Sequence, residues 1–369
     1  MNALIEYLRS ENSLEQLRAE YGIKAKAHCR YPNLIGFSYE PSVSSMDYQL
    51  CRESRGIVLD RDKDWSPVCR PFEKFFNIRE KHAANIDWDS AWVEPKLDGS
   101  MVCLWSYGNE WQVSTTGTPD GATPGGVNNS TFRDRFFAYL DRRRVHLPLF
   151  DRSASGITFI FEFMDHEDPI VIQYPETKAV LLGMRENHTG AWLPVATRRP
   201  HWLLHVDVVD RIQLDSINAK QIVELVSKLN GAEYEGFVVV DKHYQRVKVK
   251  SPEYVLLRAT RFGFSKVLLV ELILTGGADD VVSTFPILAD RVHKMKSDLQ
   301  SLARSIDSAF GECYTACSQS RKEFARKVVD NYKEISGVLF ALLDNKGTCA
   351  IDVIKQMEPR KVLRLMYGA

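Results

Sequence analysis

The sequence predicts an α+β chain in which a β-rich domain precedes an all-α C-terminal domain. Three observations predict it. From about Leu34 to Ser251, short runs rich in Val, Ile, Phe, Tyr and Trp alternate with turn clusters, the pattern of strands and their connections. After Pro252 those runs nearly vanish, and apolar residues recur at helical spacing. The 369 residues, 44% hydrophobic and 26% charged, are enough for two domains with sizeable cores. The domains are expected at residues 1–253 and 254–369.

In chain order, Leu4, Ile5 and Leu8, then Leu14 and Leu17, predict one or two short helices within residues 1–22. Strands are expected at Gly56–Leu59, Ser100–Tyr107, Trp111–Thr115, Ile157–Met164, Val180–Met184, Gly236–Val240 and Arg246–Lys250. The Gly/Pro/Asn-rich stretch Gly117–Ser130 reads as a loop. Helices are expected at Thr131–Asp141 and Asn218–Leu229. Beyond Pro252 they follow at Leu256–Leu274, Ile287–Phe310, Arg321–Leu343 and Pro359–Met366. The longest of these keeps one apolar stripe through Val292, Met295, Leu299, Leu302 and Ile306.

Composition removes several classes. No apolar run approaches the ~20 residues of a membrane span, and Met1–Ser10 carries Glu6 without the long apolar core of a secretory signal. Seven scattered cysteines, none in a CxxC pair, point to reduced thiols in a cytoplasm. Cys313 and Cys317 lie one helical turn apart, but two thiols alone do not make a metal site. The 48 Lys and Arg balance 48 Asp and Glu, so the chain lacks the global basic excess of a nucleic-acid binder. Residues 255–369 hold 17 basic and 13 acidic residues, which allows a basic face there.

P-loop, zincin and dinucleotide motifs are absent. What stands out is Glu94-Pro95-Lys96-Leu97-Asp98-Gly99-Ser100. A Lys-x-Asp-Gly match alone arises by chance in roughly one chain in ten of this length, and Asp-Gly also reads as a plain β-turn. The alternative is a nucleophilic lysine at a strand-to-turn junction. Two carboxylates lie inside apolar strands: Glu162 in Phe161-Glu162-Phe163, and Glu235 before Gly236-Phe237-Val238. Burying them is costly unless they meet cations or several donors. In Arg246-Val247-Lys248-Val249-Lys250, alternation puts Lys248 and Lys250 on one face. Like charges so placed repel unless an anion sits between them; a solvated strand edge is the plain alternative. Arg55 and Lys74 add cations beside strand-like segments upstream.

The order of these strings resembles the covalent nucleotidyltransferase superfamily of DNA ligases, RNA ligases and capping enzymes. Within it, CRESRGIVLD, RPFEKFFN, EPKLDGS, FIFEFM, VLLGMREN, EGFVVV and RVKVKS, spanning residues 51–251, resemble the phage-type RNA ligase 1 family of tRNA-repair enzymes. The resemblance implies an antiparallel-sheet adenylyltransferase domain and a helical C-terminal domain that recognises tRNA. It implies an ATP-dependent RNA ligase that joins 5′-phosphate and 3′-hydroxyl ends through lysyl-AMP. The implied cofactors are ATP and Mg²⁺, with Mn²⁺ as the alternative. The partner would be RNA, a tRNA broken in its anticodon loop. The protein would be a monomer, away from membranes, in a bacterial or phage-infected cytoplasm.

By the same resemblance Lys96 is the nucleophile, with Lys248, Lys250 and Glu235 as catalytic partners. Arg55, Lys74, Phe76, Glu94, Gly99 and Glu162 hold ATP together with Lys248 and Lys250, and Glu162 and Glu235 hold the metal. The family's basic residue after the second strand is replaced by Thr116, for which Arg133 or Arg135 is expected to substitute. On the C-terminal domain Lys322, Arg326 and Lys327 form a candidate RNA face. A DNA ligase or capping enzyme, and an RNA-binding protein that has lost catalysis, are the alternatives.

Overall fold

The computed structural model describes every residue except 1, 11–12, 126–129, 150, 152–153, 214–217, 261–265, 285, 317–319, 346 and 369. The chain divides into two compact units, residues 1–40 with 44–257, and residues 41–43 with 258–369.

The first unit opens with helices α1 (Ala3–Arg9) and α2 (Leu14–Tyr21). Asn2 caps α1 by accepting from the Ile5 amide, and Ser13 with Gln16 forms a capping box on α2. Their apolar faces (Leu4, Leu8, Leu17) close over an antiparallel sheet of β1 (Ile23–Ala27), β2 (Leu34–Tyr39), β3 (Arg55–Asp60) and β4 (Ser66–Cys69). The short α3 (Gln49–Glu53) leads into β3. Strand β1, Ile-Lys-Ala-Lys-Ala, escapes sequence reading because its side chains alternate between short and charged. Its backbone pairing with β2 is what defines it.

Two further sheets form the walls of a cleft. One takes the order β5 (Phe76–Asn77), β16 (Arg246–Lys250), β15 (Gly236–Val240) and β6 (Trp92–Pro95). The other runs from β13 (Trp192–Leu193) through β12 (Lys178–Glu186), β11 (Ile157–Met164) and β7 (Ser100–Tyr107) to β8 (Glu110–Thr115), with β14 (Asp207–Val208) parallel to β12. Strand alternation sorts each wall. Phe159, Phe161 and Phe163 of β11 are buried with Phe136, Tyr139 and Leu140 of α4 (Phe132–Arg142), which turns Ile160 and Glu162 to the opposite face. Val93, Val239, Val247 and Val249 pack on Ile222 and Val226 of α6 (Ala219–Ser227), which turns Glu94, Arg246, Lys248 and Lys250 the other way. Within the expected loop 117–130 a two-residue pair, β9 (Pro124–Gly125) and β10 (Ser130–Thr131), closes on itself. The short α5 (Val195–Arg198) follows β13, and α7 (Pro252–Thr260) follows β16.

The second unit is helical among its described residues: α8 (Lys266–Thr275), α9 (Ala278–Thr284), α10 (Ala289–Ala316), α11 (Arg321–Asn331), α12 (Ser336–Asp344), α13 (Ala350–Lys355) and α14 (Pro359–Tyr367). In α10, Val292, Met295, Leu299 and Ile306 are buried as the stripe predicts. The helix expected at 256–274 is two segments, with residues 261–265 outside the described set. That expected at 321–343 breaks at Tyr332 (φ −137°, ψ 36°). The break lets Phe324 and Phe340 meet at 6.0 Å, so both segments bury their apolar sides. Helices α9 and α13 have only seven and six residues, too few for their spacing to announce them.

Candidate active site

Lys96 continues β6 by one residue, its amide donating to the Gly236 carbonyl (2.9 Å). Alternation therefore keeps Lys96 on the face of Glu94. Its ammonium meets Glu235 Oε2 at 2.9 Å, and Glu235 Oε1 meets Lys250 Nζ at the same distance. One buried carboxylate thus serves two lysines. Burial pushes Glu235 upward, but the Lys250 and Lys96 charges and their hydrogen bonds outweigh it, and its proton affinity ends below the usual range. Gly236 has φ 144°, and a side-chain carbon there would lie 2.1 Å from the Val249 carbonyl oxygen. A glycine is thus needed beside Glu235 for β15 and β16 to pair.

The turn after Lys96 is pinned by Asp98. Its Oδ2 accepts from the Val171 (2.8 Å) and Ile172 (2.7 Å) amides, and its Oδ1 accepts from the Tyr254 hydroxyl (2.7 Å). Its own amide donates to the Tyr174 hydroxyl (3.0 Å). Asp98 and Tyr254 are buried. Tyr254 also places its ring 5.7 Å from the Lys250 ammonium. The Gly99 amide donates to Glu162 Oε1 (3.1 Å), and a side chain on Gly99 would strike the Phe163 carbonyl at 2.6 Å. Crowding by protein burial pushes the Glu162 carboxyl up to about 7. Lys96, Arg55 and the Gly99 amide pull it down, and Glu235 adds to the rise.

Arg55 lies 5.5 Å from the Phe75 ring, and its buried Nη1 has no hydrogen-bond partner among the described residues. Thr116 is beside it, its Cα 3.0 Å from where Gly56 would carry a side chain. The proposed substitutes are committed elsewhere. Arg135 pairs with Asp165 and stacks 4.5 Å from Phe132, on the rim of a pocket of about 160 Å³ that Asp98 and Gly99 share. Arg133 donates to Gln112 and covers Phe137. Lys74 sits 5.6 Å from the rings of both Tyr39 and Phe76. Lys74, Phe76 and Arg246 line a pocket of about 320 Å³. Lys248 pairs with Val238 and Asn77, one row along from Lys250.

Glu94 is buried and bonded to the Trp92 indole (2.8 Å), and burial raises its proton affinity against the pull of Arg246. Arg246 lies 4.2 Å from the Trp192 ring and 4.7 Å from that of Phe72. Burial lowers its pKa to about 10. Sequence reading gave no site role to Arg246 and did not anticipate the Tyr174–Asp98–Tyr254 clamp. Tyr254 stands four residues past Lys250 with nothing in the pattern to link it to residue 98.

Among the described residues no three His, Cys, Asp or Glu converge as metal ligands. Both Glu235 oxygens are occupied by lysines, whereas Glu162 keeps one oxygen without a partner among the described residues. That donor set, one carboxylate oxygen plus whatever a bound phosphate and water supply, suits a hard divalent cation such as Mg²⁺.

Residues 53–254, more than half of the chain, match the T4-type RNA ligase 1 family, described as RNA ligase. The RNA ligase of Rhodothermus phage RM378 is 25% identical, with 92% of each chain covered. RNA ligase 1 of bacteriophage TS2126 is 26% identical over 50% of this chain and 49% of its own. An archaeal ATP-dependent RNA ligase of known structure (form 2) superposes with a TM-score of 0.48 at 16% identity, covering 81% of this chain and 82% of that one. By the match to residues 53–254, the chain belongs to the RNA ligase family.

Proposed function

We propose that this RNA ligase is ATP-dependent and works through lysyl-AMP on Lys96, joining 5′-phosphate and 3′-hydroxyl ends of a tRNA broken in its anticodon loop. The observation that carries the reading is the Lys96–Glu235–Lys250 triad facing Glu162. A primary amine set among cations is what attack on a polyphosphate requires.

In the first step Lys96 Nζ leaves its pairing with Glu235 and attacks the α-phosphorus of ATP. The P–N bond forms, the bond to the pyrophosphate oxygen breaks, and the amine loses its proton. Glu235 is the carboxylate within reach of that proton. Lys250, Lys248, Lys74 and Arg55 offset the phosphate charges, and Phe76, Glu94 and Gly99 shape the nucleotide's bed. Glu162 would hold Mg²⁺, with Mn²⁺ as the alternative; the ion would screen the phosphates during attack. In the second step a 5′-phosphate oxygen of RNA attacks the same phosphorus, the P–N bond breaks and Lys96 regains its proton. In the third the 3′-hydroxyl attacks the activated 5′-phosphate and AMP departs.

The tRNA reading is supported by exposed Lys322 and Arg326 on α11; Lys327, one step on, donates to the Glu312 carbonyl instead. Residues 258–369 contain no strand among those described, which disfavours the β-barrel of a DNA ligase or capping enzyme. The cysteines among the described residues are free, which fits a reducing cytoplasm, where we place the enzyme as a monomer. Among the described residues no helix is long and apolar enough to cross a membrane. The test is intact mass after incubation with ATP or GTP and Mg²⁺. Gain of one AMP from ATP alone, absent in Lys96→Ala, is expected. An adduct that persists in Lys96→Ala would overturn the assignment.

A further inference from the structure

The pocket of about 160 Å³ that Asp98 and Gly99 share lies on the α4 face of β11, opposite to Glu162. Phe132, Phe163 and Pro169 give it apolar walls, and Arg135 of α4 lines it. One part of that guanidinium is committed. Its Nη1 pairs with Asp165, whose Oδ1 accepts from the Glu167 amide and the Thr177 hydroxyl, both at 3.1 Å. The Phe132 ring, 4.5 Å away, fixes its plane. The other edge, Nε with Nη2, is buried and has no acceptor among the described residues. The side chain is 11% exposed, so solvent serves that edge poorly. Buried donors are nearly always paired. Nε and Nη2 together make the fork by which arginine takes two acceptors at once. The reaction at Lys96 leaves this fork unused.

The charge of the lining decides which ligand fits. Asp98, Asp165 and Asp168 share the pocket with one arginine, so a phosphate there would meet more carboxylate than guanidinium. A neutral group with two acceptors on one edge meets no such repulsion. In RNA that group is a nucleobase, and bases splayed from a single strand are what proteins read. Guanine carries O6 beside N7, the pair that an arginine fork takes, whereas adenine sets an amine donor beside its N7. The pocket begins two residues past Lys96, at most about 7 Å of chain, so an RNA end activated at Lys96 passes close to it. We propose that Arg135 is a specificity-determining residue whose open fork takes a guanine near the 5′-phosphorylated end of the RNA. The inference rests on the RNA ligase reading and deepens it, since it names the base by which ends are chosen.

The experiment starts from full-length enzyme already carrying AMP. It is mixed with short 5′-phosphorylated RNAs that place guanine, adenine, cytosine or uracil at the first, second or third nucleotide, and RNA-adenylate is followed on gels. At one of these positions the wild type should favour guanine by about 10-fold, the scale of one bidentate arginine–guanine pair. 7-Deazaguanine at that position keeps O6 and lacks the N7 acceptor, so most of the preference should go, with no change to the protein. Arg135→Lys keeps the charge beside Asp165 but has no fork. It should bring the four bases close to parity, with the loss in KM for guanine RNA rather than in kcat. A wild type that ignores the base or prefers another, a guanine preference that survives 7-deazaguanine, or one that Arg135→Lys retains would each overturn the guanine pocket alone. Loaded enzyme that adenylates no RNA would overturn the ligase reading and the pocket together.

Discussion

Replacing Tyr254 with Phe removes one oxygen from beneath the turn that carries Lys96 and keeps the ring. The lost bond is the 2.7 Å donation to Asp98 Oδ1, in a place where both residues are buried and water cannot take over. A buried hydrogen bond to a carboxylate is worth about 2 kcal/mol. Asp98 retains its two backbone donors, so the turn persists but its anchor loosens. For a unit of about 250 residues, thermal unfolding should shift by about 4–8 °C. Tyr174→Phe is the matched control. Its hydroxyl accepts from the Asp98 amide, a bond between neutral groups worth about 1 kcal/mol. Calorimetry of both variants, with adduct formation by intact mass alongside, should rank Tyr254→Phe as the more damaging in stability and in the rate of adduct formation. Equal melting temperatures for Tyr254→Phe and wild type, or the reverse ranking, would refute the idea that Asp98 is held chiefly through its side chain.

Other expectations follow from the same geometry. Glu162 keeps its proton to about pH 7 in the folded chain because it is buried, whereas an unfolded glutamate releases it near 4.5. The folded state therefore binds more protons between those values. Its stability should decline as pH rises from 4.5 to 7 and level off above, by about 3 kcal/mol. Urea midpoints of Glu162→Gln should lack that slope; a slope equal to the wild type's would count against it. Gly236→Ala should unfold the cleft wall outright, since the added carbon meets the Val249 carbonyl at 2.1 Å, and insolubility or loss of the cooperative transition is the readout. Phe136→Ala, at a fully buried ring beneath β11, should cost about 3–5 kcal/mol by denaturant titration. If Arg135 compensates for Thr116, Arg135→Ala should slow adduct formation at least 10-fold while Arg133→Ala does not; equal rates would show that neither replaces the missing cation.

The strands that frame the cleft were legible because burial imposes period two on them. Val247 and Val249 alternating with Lys248 and Lys250 could hardly be read otherwise, and the structure keeps that alternation. The helical texture after Pro252 was equally plain, but its breaks were not. Tyr332 interrupts a run with no Pro, and what bends it is packing between Phe324 and Phe340 that no local signal carries. The same limit applies at the site. Lys96, Glu162, Glu235 and Lys250 announce themselves by charge among apolar neighbours. Tyr254 and Tyr174 look like ordinary residues and acquire roles only through contacts across 76 to 156 positions. The second unit also borrows residues 41–43, whose Ser42 carbonyl accepts from Gln300, a crossing invisible in composition.

Glu235 has a consequence for how the protein exists between turnovers. A pocket that receives a polyphosphate must also survive empty, and two ammoniums at close quarters on one wall would then repel each other across the sheet. Because one carboxylate already spans both, the vacant cleft carries its own counter-ion. In the proposed reaction, incoming phosphate would take over the place that Glu235 keeps, and departing AMP would return it. The chain therefore need not be loaded with nucleotide to remain folded. Saturating ATP should add to its thermal resistance only what mass action on the occupied site provides.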